Sequence, residues 1–290
     1  MGGAALYLLK PESETPEVKV PETEKVVIKM SMLTDKPGKK ELKETAEILQ
    51  KRLEYANVDN YTIDCTGPAE LTICLPIQED MASIRRILST RGRMEFWPTL
   101  YNYDVYDKLP DDESLTGLLR IECSRSALIG TAHYSDTAKI NSCLTQPEVR
   151  KALPKDLALM WLAKPTGDDD QRFELVAVHK NSKKAPIDND DIEKVRAESY
   201  PYDNQIKIDM TKKGARQWEK LTMDNIHRQV AVVIDGFVYC YPTVADRIEC
   251  GLAAITNNFT REEAQELAII LQHGPLPTDI QITQEEILQP

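Results

Sequence analysis

The stretch FTREEAQELAIILQHGPLP, Phe259 to Pro277, constrains the fold more than any other. Thr260 followed three residues later by Glu263 is a capping box, and Phe259 with Ala264 brackets it as a hydrophobic staple. Ala264, Leu267, Ala268 and Leu271 then fall on one helical face. Gly274 supplies a stop and Pro275 forbids continuation. A helix bounded in this way carries one apolar stripe and needs a layer to cover. Its neighbours in the chain are strands. Val230 to Ile234 and Phe237 to Tyr241 are β-prone runs around Asp235-Gly236, a strong hairpin-turn signal. Thr278 to Leu288 alternates through Ile280 and Ile282 as a strand. Ahead of the hairpin, Lys213 to Gln229 carries Ala215, Trp218, Leu221 and Ile226 on or near one helical face.

The N-terminal half has its own order. Lys25 to Leu33 is a strand and residues 34–38 a turn. Lys39 to Ala56 is a helix showing Leu42, Ala46, Leu49 and Leu53. Tyr61 to Cys65 and Leu71 to Leu75 are strands joined by Thr66-Gly67-Pro68. Glu79 to Thr90 is a helix showing Met81, Ile84, Ile87 and Leu88, and Arg93 to Trp97 is a closing strand ended by Pro98. The order β-α-β-β-α-β is ferredoxin-like. From Tyr101 to about Tyr202 the pattern loosens. It holds short helices near Tyr134 to Leu144 and Pro147 to Leu153, and strands at Leu157 to Ala163 and Phe173 to His179. Polar loops fall at residues 168–170 and 180–185. At Gln205 a second β-α-β-β unit begins. The expected fold is α+β, a ferredoxin-like base lobe with a large inserted α+β head lobe.

Charge and hydropathy exclude several classes. The formal net charge is -11, from 47 acidic and 36 basic residues. Such a surface repels a phosphate backbone, so no nucleic acid is expected as a partner, and it repels an anionic membrane surface. No window reaches the ~18 apolar residues of a membrane span. MGGAALYLLKP is apolar but short, and PESETPEVKVPETE after it is an extended Pro/Glu linker. Residues 1–23 are therefore expected to be the remnant of a truncated anchor followed by a tether.

The six cysteines are Cys65, Cys74, Cys123, Cys143, Cys240 and Cys250. Strand alternation turns Cys65 toward the buried face with Ile63, and Cys74 away from Leu71, Ile73 and Leu75, so these two do not meet. The pairs Cys240–Cys250 and Cys123–Cys143 stay open. No C-x-x-C occurs, which argues against zinc. His133, His179, His227 and His273 fall in no ligand spacing. His273 ends a helix, where a positive charge suits the dipole. Asp168-Asp169-Asp170 and Asp188-Asn189-Asp190-Asp191 lack the Gly and Glu of an EF-hand loop. Asp235 is accounted for by its turn, and Trp97, Trp161 and Trp218 read as core. G-x-S-x-G, the P-loop and G-x-G-x-x-G are absent. The expectation is no catalytic residue, no metal and no cofactor, hence not an enzyme. An apolar groove in the head stays open as a site.

The order GAR, helix, VIDG, hairpin, NFT, EEA, helix, GPLP resembles the first periplasmic domain of SecD and of the fused SecDF, auxiliary subunits of bacterial protein export. EILQKRLEYANV, ELTICLP and STRGRMEFWP look like that family's upstream helix and strands. AHYSDTAKINSCLTQPEVRKALP is similar to an insertion in SecDF of Bacteroidetes-type bacteria. The resemblance covers Glu24 to Pro290. It implies an extracytoplasmic domain on the periplasmic side of the inner membrane, anchored by a membrane part missing from this chain. Its partners would be unfolded secretory polypeptide and the Sec translocon channel, and its work would be to assist export driven by a proton gradient. The last strand would return to the first lobe, giving a base lobe of residues 24–100 with 276–290 and a head lobe of 101–275. The family's D-L-x-G-G motif ahead of the first strand is absent, and the tether stands in its place. A singly anchored SecD-like polypeptide-binding or adaptor protein without transport activity is the alternative.

Two Pro-flanked crossings would then join the lobes, one through Trp97, Pro98 and Leu100, the other through Pro275, Leu276 and Pro277. Pro98 removes a ladder donor, and Pro275 with Pro277 holds Leu276 between residues of fixed φ. Short paired crossings make either a hinge or a packed, immobile junction.

Overall fold

The structure is a computed structural model that describes residues 24–34, 38–109, 115, 117–122, 124–166 and 171–288. The anchor-and-tether segment, the run Asp168-Asp169-Asp170 and Cys123 lie outside the described residues. The fold is a mixed α/β arrangement of four antiparallel sheets. No helix among the described residues is long and apolar enough to cross a membrane.

The first sheet contains β1 (Lys25–Met32), β2 (Thr62–Cys65), β3 (Glu70–Pro76) and β15 (Ile280–Leu288), in the order β15-β1-β3-β2. Alternation puts Val26, Ile28, Leu71 and Ile73 on one face. There they pack with Leu49 and Leu53 of α1 (Lys39–Tyr55) and Leu88 of α2 (Met81–Ser89). The last strand thus does return to the first, across almost the whole chain.

The strand expected to close this sheet does not join it. β4 (Met94–Pro98) lies in the middle of a second sheet, ordered β13-β12-β4-β9, between β12 (Val230–Ile234) and β9 (Ile187–Asp188). β13 (Phe237–Cys240) forms its far edge. All five residues of β4 are buried, and a strand covered on both faces lacks the half-polar alternation of an open antiparallel sheet. Met94 and Phe96 enter one core and Trp97 another. The chain therefore leaves the first sheet at residues 90–93, and the boundary expected at residue 100 moves back to there.

The third sheet is β10 (Ile192–Tyr200), β11 (Asp203–Met210) and β14 (Leu252–Thr256), with β11 central. It faces the second sheet across a core of Phe96, Val232, Ile206, Ile208 and Ile255. Short helices α3 (Tyr103–Tyr106), α4 (Thr137–Leu144) and α5 (Pro147–Ala152) precede α6 (Lys212–Asp224) and α7 (Arg261–Gln272). The last two place Trp218 and Leu267 in that core. The fourth sheet, β5-β6-β8-β7, is built of β5 (Arg120–Ile121), β6 (Leu128–His133), β7 (Leu157–Trp161) and β8 (Arg172–His179). It packs against the back of the second sheet through Val176, Val178, Trp97, Ala231 and Val233.

The marked local signals form as the chain chemistry dictates. The Thr260 hydroxyl accepts from the Glu263 N–H (3.1 Å) and the Glu263 carboxylate accepts from the Thr260 N–H (2.8 Å). Asp235 (φ 49°) and Gly236 (φ 84°) make the positive-φ hairpin turn between β12 and β13.

Candidate functional site

A groove opens on the flank of the third sheet. It encloses about 680 Å³, with an apolar floor of Phe96, Trp218, Val230 and Val232 and one wall from Pro242 to Ile248. The opposite wall is β14, through Leu252, Ala253 and Ala254. The two arginines of its rim are ion-paired. Arg196 donates to Asp209 at 2.6 Å and to Glu198 at 2.9 Å. Arg247 pairs with Glu219 at 3.5 Å and with Glu249. Such a surface suits an uncharged, apolar or main-chain ligand better than a phosphate or a metal.

The second feature is the junction between the first sheet and the rest. Two segments cross it side by side, residues 90–93 and 274–277, and the Leu276 N–H donates to the Arg91 carbonyl at 2.9 Å. Arg52 of α1, fully buried, pins both. Its Nη1 donates to the carbonyls of Ile87 (2.9 Å) and Thr90 (2.6 Å), and its Nη2 to those of Arg91 (2.8 Å) and Gly274 (3.1 Å). Burial pulls the guanidinium down to about 10, and nearby Asp235 opposes the shift. Arg91 clamps the second crossing through the carbonyls of Leu276 (3.1 Å) and Pro277 (2.9 Å). Gly92 has φ 84°, and a Cβ there would stand 2.7 Å from Ile270 Cγ2, so the close approach of α7 requires glycine. Outside the crossings, Arg86 of α2 and Glu266 of α7 form a bidentate pair with both contacts at 2.6 Å.

The residues singled out by sequence distribute unevenly over this geometry. Pro275, Leu276 and Pro277 lie in the second crossing, with Leu276 buried in the first core. Trp97 and Pro98 do not lie in a crossing. They pair with Ala231 and Val230 inside the second sheet, and the Leu100 N–H donates to Ala177 (3.0 Å) where the chain enters the fourth sheet. The chain crosses at 90–93 instead, because β4 is covered on both faces. Asp235 does more than turn. Its carboxylate accepts from the N–H groups of Gly92 (2.9 Å) and Arg93 (2.8 Å), tying the hairpin to the first crossing. Asn189 accepts from the Met94 N–H (2.9 Å) and donates to the Gly92 carbonyl (3.1 Å). Asp191 is buried against Lys213 Nζ at 2.9 Å. The acidic run from Asp188 to Asp191 is thus a knot of capping and bridging contacts. Sequence reasoning missed Arg52, and only its position one turn from Leu49 on the apolar stripe signals it.

Two other expectations need correction. Cys65 is exposed, not buried: it shares a face with Leu71, but it ends β2, the edge strand of the sheet. Cys74 is half-buried, pairs across from Thr62 rather than Cys65, and neither carries a disulfide. At the end of its helix, His273 meets surroundings that disfavour its cationic form. Burial, with Arg52 and Lys51 close by, pushes its pKa below the usual value, and its ring packs edge-on against Tyr55. Glu95 is a buried acid no motif announced. Burial pushes its carboxyl up, but Trp97, Lys180 and Arg93 outweigh this and hold it below the carboxylate range.

Known proteins place this architecture. Residues 165–278, which hold all of the groove's lining except Phe96, match the family model described as SecDF, P1 head subdomain. The protein translocase subunit SecD of Rhodothermus marinus is 29% identical over 285 residues, covering 84% of this chain and 46% of that protein. SecD of Syntrophobacter fumaroxidans is 38% identical over 104 residues, covering 36% of this chain and 19% of its own length. The chain thus spans less than half of either relative. Among solved structures, SecDF in a super-membrane-facing form superimposes with a TM-score of 0.60 at 21% identity, over 94% of this chain and 32% of that one. A structure of SecDF described as a membrane component that enhances protein export gives 0.55 at 21% identity, over 89% and 98%. At that identity the structures speak to fold alone, and the fold agrees with the sequence relatives: the chain is similar to SecD over most of its length, and residues 165–278 match the SecDF P1 head subdomain.

Proposed function

We propose that this chain is the extracytoplasmic part of a protein translocase subunit, that it engages unfolded polypeptide in the groove beside β14, and that it assists protein export on the periplasmic side of the membrane. The observation that carries the reading is the groove itself, an apolar channel whose lining, Phe96 apart, falls inside the segment that matches the SecDF P1 head. The relatives are protein translocase subunits, and SecDF is described as enhancing protein export. The polypeptide and the Sec channel are the partners this reading names.

The first sheet, with its β15-β1-β3-β2 order and two covering helices, is in this reading a ferredoxin-like base from which the head projects. The paired crossings at 90–93 and 274–277 form the hinge line between them. The work is mechanical rather than enzymatic, and the buried acids are held as structural groups: Glu95 by Trp97, Lys180 and Arg93, Asp191 by Lys213, and Glu266 by Arg86.

The test is polypeptide binding by the purified chain, followed by fluorescence anisotropy with an unfolded, labelled secretory precursor. Leu252 is 51% exposed, so Leu252→Asp leaves the fold intact while charging the groove wall. The expected result is saturable binding that this substitution weakens. Binding unchanged by Leu252→Asp would take the groove out of the function.

A further inference from the structure

The third sheet ends in an open edge, and the groove runs along it. β14 pairs with β11 on one side and closes the sheet order on the other. The Met210 N–H donates to the Gly251 carbonyl at 2.9 Å, which makes Met210 and Gly251 a hydrogen-bonded pair. Bonded and non-bonded pairs alternate along an antiparallel ladder. The pairs Ile208 with Ala253 and Ile206 with Ile255 therefore continue the bonded series. It follows that the main-chain groups of Leu252, Ala254 and Thr256 point away from β11. Thr256 meets a neighbour there, since its main chain hydrogen-bonds the thiol of Cys240 on β13. No main-chain partner stands across from Leu252 or Ala254 among the described residues.

The cavity confirms where that edge faces. Ala253, paired with Ile208, points into the core. Leu252 and Ala254, paired with Asp209 and Lys207, point the opposite way. All three line the groove, and a groove lined from both faces of a strand must reach the strand's edge. The far wall offers side chains rather than a second ladder. The Val230 N–H is bonded to the Pro242 carbonyl and the Val244 N–H to the Arg228 carbonyl. The alanines of β14 leave room for an approaching backbone, and the two rim arginines are already ion-paired.

We propose that an extended polypeptide segment binds here by strand addition, becoming a fourth strand of the third sheet against Leu252 and Ala254. Main-chain groups of the segment pair with those of β14, and its alternate side chains drop onto the floor of Phe96, Val232 and Trp218. This rests on the reading of the groove as a polypeptide site and specifies the mode. The head reads backbone first, so it accepts many sequences and rejects folded protein, whose backbone is already paired.

The test uses a soluble peptide of about ten residues, a typical strand length, alternating valine and threonine with lysine at both ends. Two further versions carry N-methyl groups on every second residue, in opposite phase. Binding of all three to the unaltered protein is measured by anisotropy, and amide hydrogen exchange is followed at residue resolution. Strand addition requires that the Leu252 and Ala254 amides, fast in the free protein, slow on binding, and that one methylated phase binds roughly tenfold weaker than the other. Ala254→Pro removes one edge donor and leaves the bonded pairs at Ala253 and Ile255 in place, so it weakens the peptide too. Should that variant misfold, the methylated peptides still decide the matter. Saturable binding with both phases equal and the edge amides unchanged overturns strand addition while leaving the groove as a polypeptide site. Absence of saturable binding by any peptide overturns both.

Discussion

Replacing Arg52 by methionine tests the junction directly. The arginine spends all four terminal N–H bonds on carbonyls of Ile87, Thr90, Arg91 and Gly274. Methionine fills a similar volume and donates nothing. The contact to Ile87 is buried and the other three are partly buried. An acceptor stranded in the interior costs about 1–3 kcal/mol, and those near solvent recover part of that from water. Against this, the mutation removes the cost of burying a cation, the same cost that pulls its pKa down to about 10. The net expectation is a loss of roughly 2–4 kcal/mol. For a chain of this size that lowers the urea midpoint by about 1 M. Because the folded value lies below the unfolded one, the contribution of this ionisation is complete only above the ordinary guanidinium value and is lost as pH falls through about 10. Below that it is constant, so the loss on mutation is the same at about pH 6 and about pH 8. The assay is equilibrium urea denaturation followed by tryptophan fluorescence and circular dichroism. A midpoint within about 0.2 M of the unaltered protein would refute the claim that Arg52 holds the crossings.

Thr260→Ala is expected to destabilise by about 1 kcal/mol, read as a lower denaturant midpoint, because the Glu263 N–H loses its acceptor and the reciprocal box opens. In native thiol labelling followed by mass spectrometry, exposed Cys65 reacts before half-buried Cys74. Cys240, whose thiol burial pushes up to about 11, reacts last of the three; a faster Cys240 would contradict its enclosure. His273 has a folded pKa below its ordinary 6.5, so its contribution to stability is complete above that value and is lost as pH falls toward the folded pKa. Urea midpoints from about pH 7.5 to 5.5 should decline less in His273→Gln than in the parent, and parallel curves would show that His273 is not the group responsible.

The elements with a local code were legible. The Thr260 box, the Asp235-Gly236 turn and the alternation of β1 and β3 depend on residues within a few positions of one another, and each formed as its chemistry requires. What failed was decided by distant partners. β4 has the composition of a closing strand, yet its five residues are buried because β12 and β9 flank it, and nothing within Met94–Pro98 announces neighbours more than 90 residues away. Ile192–Tyr200 carries four charged residues and hides a nine-residue strand, since only Val195 is fully buried. Arg52 escaped notice because the carbonyls that close over it come from two segments distant in the chain, one from Ile87 to Arg91 and the other at Gly274. In the candidate site the wall Leu252–Ala254 is short and alanine-rich, without the β-branched residues that mark a strand, so the groove had no signature of its own.

The return of β15 to β1 has a consequence for the order of events during synthesis. Lys29 reaches Gln284 across 255 positions, so the first sheet remains one strand short until nearly the whole described chain has been made. Contacts of such separation carry a high closure entropy and form late. Until then β1, with Val26, Ile28, Met30 and Met32 along one face, offers a bare ladder edge to any passing strand. Chains arrested before Ile280 would therefore be prone to self-association in a way the finished molecule is not, and the glutamates and glutamines of β15 act as the polar selvedge that ends this exposure.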